Sequence, residues 1–271
     1  MSATAVDSGA KPRGSGADWR LVLHQARYEL ISFWCNPQSR FFTLVFPIIF
    51  LVIFSAVIHG TTTTPSGAKI KISVYYVPGI ATLAIMAASF VNLAVSIVTQ
   101  RENGILKRRR ATPVPSWVLI AGRAAVAVLV ALVMVTAIIV IGRLAFGVPV
   151  PGSRLPGVAL ASVLGALTFC CLAFALSAFI GTADAAQPVL QFVTLPLYFI
   201  SGVFIPDANN PRWLRDVANV FPVRHLAQAE LRAFDPGATA PGIAWGHLLV
   251  LAIWGVGSLV VALRFFRWAP R

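Results

Sequence analysis

Charged residues and cysteines are scarce in this sequence, and their scarcity excludes two broad classes of protein. Only 11% of the 271 residues are charged, whereas 58% are hydrophobic. The mean hydropathy is +0.80, and a soluble domain could not bury so much apolar surface, so the composition predicts a polytopic membrane protein. The three cysteines, Cys35, Cys170 and Cys171, form neither a CxxC pair nor a metal-ligand spacing. No disulfide or metal site is therefore predicted.

The groups that power transport or catalysis are also missing. No G-x-x-x-x-G-K-[ST] segment is present, so the chain has no phosphate-binding loop with which to hydrolyse ATP. The middle parts of the apolar runs contain no Asp, Glu, Lys or Arg, which disfavours a carrier driven by protons or sodium ions. They also lack the paired acids or Ser/His sets of an intramembrane hydrolase. We therefore expect a chain that is not an enzyme and that binds no cofactor itself.

Basic residues, in contrast, are present in excess. The formal net charge is +13, but the cations cluster at the ends of the apolar runs and do not form one basic face. This distribution is typical of topology signals and of contacts with anionic lipids of the bilayer. No nucleic-acid partner is predicted.

The N-terminal part of the chain precedes the first apolar run. Residues 1–17 are rich in Gly, Ser and Ala and have no apolar signal-peptide core, so we expect a disordered cytoplasmic tail. Within residues 18–40, apolar residues such as Trp19, Leu23 and Trp34 recur at helical spacing opposite charged ones. This segment is too polar to cross the bilayer, so it is predicted to be an interfacial amphipathic helix, which Asn36-Pro37 ends.

Six apolar runs follow, and they predict an all-α domain of six transmembrane helices over residues 41–265. An even number of spans places both termini on the same side of the membrane. The enrichment of cations near the termini predicts that this side is the cytoplasm. The connection 206–244 contains apolar pieces too short to span, which predicts short helices that re-enter the outer leaflet. Residues 266–271 are expected to be a cytoplasmic tail. The predicted spans are 41–58, 74–98, 117–141 or 117–146, 155–180, 186–205 and 245–263.

The most informative stretch, residues 99–116, is a charged island between the second and third runs. Its four consecutive cations, Lys107 to Arg110, would be costly in hydrocarbon and predict a cytoplasmic location. Thr99 and Glu102 have the spacing of a capping box, which predicts that a helix begins there. Pro113 disfavours helical geometry in the residue before it, so the helix should end by residue 113. An ordinary positive-inside loop is the simpler alternative.

Two motifs carry a resemblance to a known family. The first is Arg101-Glu102-Asn103-Gly104 followed by the basic run and Ala-Thr-Pro; the second is Ser-Gly-Val-Phe-Ile-Pro at 201–206, followed by further prolines. Together with six runs and an interfacial helix, they resemble the permeases of type-2 ABC (ATP-binding cassette) exporters, in the bacterial drug-resistance branch. Many members have Arg-Leu after the Lys of the basic run, whereas Arg109 and Arg110 occur here.

The resemblance implies a function that the residues alone do not give. It implies a permease subunit in the bacterial inner membrane that moves a hydrophobic drug or natural product outward. Residues 99–113 would form a coupling helix that docks on a separate ATPase subunit, which binds ATP and Mg²⁺. A second permease chain, identical or different, would complete the transporter. The positions that match the ATPase contact are Arg101, Glu102, Gly104, Lys107, Arg108, Arg109 and Pro113, with Arg27 and Glu29 of the interfacial helix as a secondary contact.

The resemblance also implies a substrate pathway between the two chains, along the second and fifth spans. Its candidates are the polar and aromatic residues Asn92, Ser96, Gln191, Thr194, Tyr198 and Ser201, each of which could equally serve helix packing. Two other functions stay open at this point. The chain could export a lipid or lipid-linked glycan, or it could be a membrane scaffold or sensor that transports nothing.

Overall fold

The computed structural model of the chain describes residues 15–64, 66–110, 116–206 and 211–265. Within these ranges the fold is helical apart from one short hairpin, so the predicted all-α class is confirmed. The hairpin pairs β1 (Thr61–Thr63) with β2 (Lys69–Lys71) in antiparallel register. The helices are α1 (Ser15–Cys35), α2 (Pro37–Arg40), α3 (Phe46–Val57), α4 (Ile72–Met86), α5 (Asn92–Glu102), α6 (Ile105–Arg110), α7 (Ser116–Phe146), α8 (Leu155–Ser177), α9 (Ala183–Ile200), α10 (Arg212–Ala218), α11 (Pro222–Phe234) and α12 (Trp245–Phe265).

Five helical segments of the described chain are long and apolar enough to cross a membrane. They are Pro37–Val57, Ile72–Glu102, Trp117–Phe146, Gly152–Ser177 and Trp245–Phe265. The predicted span 186–205 corresponds to α9, which has 18 residues and contains two glutamines and two prolines. Length and composition do not identify α9 as a span by themselves, so the sixth span stays a prediction.

The second span, α4 followed by α5, is the central helix of the fold. Every residue from Val74 to Met86 is buried, and α4 packs against α3, α7, α8 and α11. A π-helical segment, Ala87–Val91, joins α4 to α5 without a break. Single π turns occur frequently at functional sites because they shift the side chains that follow by one position. Asn92 is the first residue after this segment. We call the end of the fold with residues 99–110 the basic end, and the opposite end the hairpin end.

The helix α1 begins at Ser15, three residues before the predicted start, and residues 1–14 of the predicted tail lie outside the described part. It ends at Cys35, as the Asn36-Pro37 pair predicts, and Asn36 caps α2 through a hydrogen bond from the Ser39 backbone N–H. The helix lies along α7.

The predicted helix start at Thr99 is wrong. Thr99 lies inside α5, where its carbonyl accepts the backbone N–H of Asn103 at 3.0 Å. The helix ends at Glu102 because Gly104 adopts a φ of +68°, which only glycine reaches without strain. A separate helix, α6, then begins at Ile105. The charged island is therefore the end of the second span, a glycine bend and a six-residue helix.

The predicted fifth span is too long at its C-terminal end. Helix α9 stops at Ile200 because Gly202 has a φ of +81°, and the chain then folds back onto α4. The Tyr75 hydroxyl donates a hydrogen bond to the Gly202 carbonyl. Phe204 stacks on Phe54 of α3 with ring centroids 5.3 Å apart. The second motif thus ends a helix and attaches the next segment to α3 and α4.

Asp235 ties the hairpin end together. Its carboxylate accepts hydrogen bonds from the hydroxyls of Thr64 and Ser66 and from the backbone N–H groups of Ser66 and Gly237. Burial acts to raise the pKa of Asp235, but these hydrogen bonds outweigh it and hold the pKa below its ordinary value. The segment after α11 is therefore fastened to the hairpin loop through an ionised carboxylate.

We expect Asp235→Ala to loosen the hairpin end. Each hydrogen bond to a charged group contributes ~1.5–3 kcal/mol, so a loss of about 3 kcal/mol of local stability is expected. Hydrogen–deuterium exchange of residues 61–71 should accelerate, while Asp216→Ala, at an exposed site on α10, should leave it unchanged. Because the folded pKa is lowered, wild-type protection should persist at neutral pH and be lost only as the pH falls through that pKa. Equal exchange in the two variants would contradict this role.

Candidate functional site

Arg101, near the end of α5, binds backbone carbonyls at the end of α8 and in the turn that follows it. Its side chain is buried, with 6% exposed. It donates to the Ser177 carbonyl at 2.8 Å and to the carbonyls of Ile180 and Gly181. The last carbonyls of a helix lack intrahelical partners and carry the negative end of the helix dipole, so a buried cation both satisfies and neutralises them.

Glu102 makes the complementary contact with the start of α9. Its carboxylate accepts a hydrogen bond from the backbone N–H of Ala183, the first residue of α9. A negative charge at a helix N-terminus is favourable because the exposed N–H groups carry the positive end of the dipole. We call these contacts of Arg101 and Glu102 with residues 177–183 the inner-turn contact. Two predicted ATPase contacts thus hold the turn between α8 and α9.

The next helix, α6, exposes its first two cations. Lys107 and Arg108 are exposed, whereas Leu106 is buried and attaches the helix to the core. Gly104 forms the bend before α6. The side chain of Arg109, and Pro113 as a whole, lie outside the part of the chain that the structure describes. The described cations of α6 therefore lie on a surface that a partner could reach.

The helix α1 contributes a buried ion pair to the same end of the fold. Arg123 of α7 is 5% exposed, and its Nε lies 3.3 Å from Oε1 of Glu29 in α1. It also donates to the side-chain oxygen of Gln100 in α5, while Gln25 donates to Glu29 at 2.8 Å. This network connects α1, α5 and α7. Glu29 therefore faces the helix bundle, whereas Arg27 is exposed.

A cavity of about 230 Å³, lined by both polar and apolar side chains, lies between α1, α5 and α7, next to this ion pair. We call it the α1–α5–α7 cleft. It contains two of the predicted pathway residues, Asn92 and Ser96. The Ser39 hydroxyl donates to the side-chain oxygen of Asn92 at 2.7 Å. The other polar residues that line the cleft are Glu29, Ser32, Asn36, Ser39, Thr99, Gln100 and Arg123.

A smaller cavity of about 70 Å³ lies on the other side of Asn92. It brings Asn92 together with Gln191 and Tyr198 of α9, so three predicted pathway residues share one site. Thr194 and Ser201 line neither cavity. Thr194 donates to the Leu190 carbonyl within its own helix, which is a packing role. The buried hydroxyl of Ser201 makes no hydrogen bond among the described residues.

The sequence analysis missed a fully buried acid, Glu230 in α11. The Ser162 hydroxyl of α8 donates to one carboxyl oxygen at 2.8 Å, and the other oxygen makes no hydrogen bond within the described ranges. Burial raises the pKa of Glu230 to about 8, and the Ser162 bond opposes this rise. The only sequence signal was the amphipathic pattern of α11, which would place Glu230 in water. Instead, α4, α8 and α12 surround the helix.

No metal site is apparent in the ranges described. No group of three or more His, Cys, Asp or Glu side chains comes close enough to hold an ion.

Comparison with known proteins gives a family match and individual proteins of similar sequence. Residues 21–233 match the family described as ABC-2 type transporter. Two similar proteins are called probable multidrug ABC transporter permease YbhR, from Escherichia coli strain K12 and from Escherichia coli O157:H7. Each is 24% identical to this chain over 193 residues, which cover 71% of this chain and 52% of the relative. The chain thus spans about half the length of the curated relatives it matches.

Proposed function

Because the chain belongs to the ABC-2 type transporter family, we propose that it is the membrane-spanning permease subunit of an ATP-driven exporter. A separate ATPase subunit, with its ATP and Mg²⁺, docks at the basic end over residues 99–113. The cargo is a hydrophobic drug or natural product that moves outward. The basic end faces the cytoplasm, as do both termini, and the membrane is the bacterial inner membrane.

The inner-turn contact is the observation that carries this proposal. Arg101 and Glu102 lie within four residues of α6, so the exposed cations of α6 and the turn between α8 and α9 belong to one connected unit. A partner that pushes α6 would displace the ends of α8 and α9 directly. Such a unit suits a chain that lacks its own phosphate-binding loop.

The proposed cycle is a ligand-driven switch between two arrangements of the helices. ATP binding closes the partner subunits, which moves α6 and, through Arg101 and Glu102, tilts α8 and α9. ATP binding can shift this equilibrium only by the difference in free energy with which the ATP-bound partner binds the two arrangements. The Glu29–Arg123 pair couples α1 to α5 and α7, so the interfacial helix follows.

Helix α9 is the sixth span in this proposal, and a second permease chain packs beside it. Large apolar side chains on α9 are exposed, among them Phe192 with 82% and Phe199 with 50% of their surface. Lipid or a second copy would cover this face. The small cavity that joins Asn92, Gln191 and Tyr198 then lies on the pathway between the two chains.

We expect Gly104→Pro to uncouple ATP hydrolysis from export. Proline fixes φ near −65°, whereas Gly104 requires +68°, so the bend between α5 and α6 cannot form. Glu102→Ala, which removes the contact with α9, should act in the same direction. The permease should still co-purify with a separate ATPase, and the measurement is the ratio of cargo exported to ATP hydrolysed in proteoliposomes.

Gly246→Ala is the matched control for these variants. Gly246 is the second residue of α12, and an added Cβ there meets no atom of a neighbouring element within 4 Å. It should leave the ratio unchanged. Normal export by a protein that carries both Glu102→Ala and Gly104→Pro would disprove the coupling role. Export by the permease alone, without any ATPase, would disprove the proposed function itself.

A further inference from the structure

Two histidines join α11 to α12 toward the hairpin end of the fold. His225 is the buried fourth residue of α11, and His247 is the partly exposed third residue of α12. Their Nδ1 atoms lie 2.9 Å apart, and their ring centroids lie 5.1 Å apart. The Nε2 atom of His225 lies 2.9 Å from the backbone carbonyl oxygen of Asn219, in the turn between α10 and α11. Both ring nitrogens of His225 are therefore engaged.

The hydrogen bond between the rings limits the number of protons that the pair can hold. A carbonyl oxygen only accepts, so the Nε2 atom of His225 carries a hydrogen. In the neutral pair the Nδ1 atom of His225 is therefore bare, and the Nδ1–H of His247 donates to it. A first added proton still leaves one hydrogen between the rings, so the bond persists. A second added proton places a hydrogen on both Nδ1 atoms, so the bond breaks and two positive charges repel each other.

Around α11, within the described part of the chain, the two histidines are the groups expected to change charge between about pH 7 and pH 5. The helices that pack against α11 are α4, α8, α9 and α12. The other titratable or charged side chains of these helices, of α11 and of the segment at its far end are Tyr75, Tyr76, Arg154, Cys170, Cys171, Asp184, Tyr198, Arg224, Glu230, Arg232, Asp235 and Arg264.

The acids of this set do not disturb the interval. Burial raises the pKa of Glu230 to about 8, so Glu230 is already mostly protonated and neutral at pH 7. Hydrogen bonds hold the pKa of Asp235 below its ordinary value, so Asp235 stays ionised. Asp184 lies in the first turn of α9, at the basic end. Acidification over this interval therefore acts on the histidine pair.

An apolar cavity gives the start of α11 room to move. The cavity has a volume of about 540 Å³ and lies between α8, α9, α11 and α12, with Pro222 and Val223 in its wall. A close-packed helix resists displacement, whereas a helix end beside a cavity can shift without overlapping its neighbours. Trp254 of α12 lines the same cavity, and its Nε1–H donates to the Val220 carbonyl at 3.0 Å. Trp254 therefore reports where the turn before α11 lies.

We infer that the His225–His247 pair is a proton-operated latch, which fastens the start of α11 to α12 near neutral pH and releases it on acidification. Release lets the turn that contains Asn219 and Val220 move relative to α12. If the proposed function holds, the hairpin end faces outward, so the latch responds to the pH outside the cell. The latch itself requires only the permease and can be measured without the ATPase subunit.

Fluorine NMR of the full chain in nanodiscs tests this inference, with 5-fluorotryptophan in place of tryptophan. The chain has seven tryptophans, and Trp254→Phe identifies the resonance of Trp254. This resonance should shift in one step between about pH 7 and pH 5, because the bond to Val220 changes when the turn moves. In His247→Gln the step should be lost, since a carboxamide can still donate to His225 but does not titrate. His59→Gln, which removes an exposed histidine near the hairpin, should retain the full step.

Nitrogen-15 NMR of histidine-labelled protein counts the protons on the pair directly. His225→Gln and His247→Gln assign the signals. At neutral pH one Nδ1 atom should be protonated and the other bare, and on acidification both should become protonated together with the Trp254 step.

The outcomes distinguish the latch from its parts and from the proposed function. A full Trp254 step in His247→Gln, or no step in the wild type, would overturn the latch. Protonation of both Nδ1 atoms with an unchanged Trp254 resonance would overturn the release of α11. The expected step in a protein that exports nothing would support the latch and refute only the proposed function.

Discussion

Arg101→Ala should nearly abolish export while the partner ATPase continues to hydrolyse ATP. Arg101 is buried and bonds three backbone carbonyls, one at the end of α8 and two in the turn between α8 and α9. Hydrogen bonds to charged groups contribute ~1.5–3 kcal/mol each. The loss of the two shorter bonds, to Ser177 and Ile180, therefore amounts to at least about 3 kcal/mol. That energy corresponds to a population shift of about 100-fold between two arrangements. The measurement is ATP-dependent export in proteoliposomes beside the rate of hydrolysis.

Two further variants distinguish the transmission of movement to α8 and α9 from the docking of the ATPase on α6. Arg101→Lys retains the charge without the planar fork of the guanidinium, so it should restore part of the export. Arg108→Ala removes an exposed cation of α6. This variant should associate more weakly with the ATPase, so a higher ATPase concentration should be needed for export. The amount of cargo exported per ATP hydrolysed should stay unchanged. If Arg101→Ala behaved like Arg108→Ala, the inner-turn contact would have no part in transmission.

Glu230→Gln should remove a large pH dependence from the stability of the protein. Burial raises the pKa of Glu230 from its ordinary 4.5 to about 8, so the folded protein holds this proton where the unfolded chain has lost it. Stability from this group is therefore complete below about pH 4.5 and declines as the pH rises toward 8. The wild-type unfolding temperature in detergent should fall over this interval, and that of Glu230→Gln should fall less.

The carboxamide is a close match because it is uncharged and can still accept the bond from Ser162. Reading the result as a difference between the two proteins cancels the other titrating groups. At pH 8 the glutamine variant should be the more stable protein. Glu230→Ala should be less stable at all pH values, because it leaves a cavity and removes the partner of Ser162. Parallel curves for wild type and Glu230→Gln would mean that the carboxyl does not titrate in this interval.

The buried position of Glu230 also adds to what the sequence predicted about acidic residues in the interior of the fold. The spans themselves carry no acid in their middle parts, but α11 brings one against Ser162 of α8. A scan of apolar runs could not find it, because α11 is too polar to be counted among them. A buried acid can thus come from a helix that is not among the apolar spans.

The sequence alone determined the membrane class, five of the spans and the separation of basic from apolar segments. These follow from local composition, because hydrocarbon requires continuous apolar helices and rejects cations wherever the chain folds. The stop at Asn36-Pro37 was also predictable, because proline constrains its own turn. The helix start at Thr99 was not, since the capping-box spacing says nothing about a helix that already continues from the second span.

The tertiary structure alone decided which charges meet. Arg101 reaches carbonyls 76 to 80 positions away, Glu29 pairs with a residue 94 positions away, and Glu230 finds its partner 68 positions away. The same Glu102 that could cap its own helix binds the start of α9 instead. Local sequence cannot choose between such partners, because the choice depends on how α1, α5, α7, α8 and α9 pack. Packing is the sum of many small contacts across the whole bundle, and no single motif contains it.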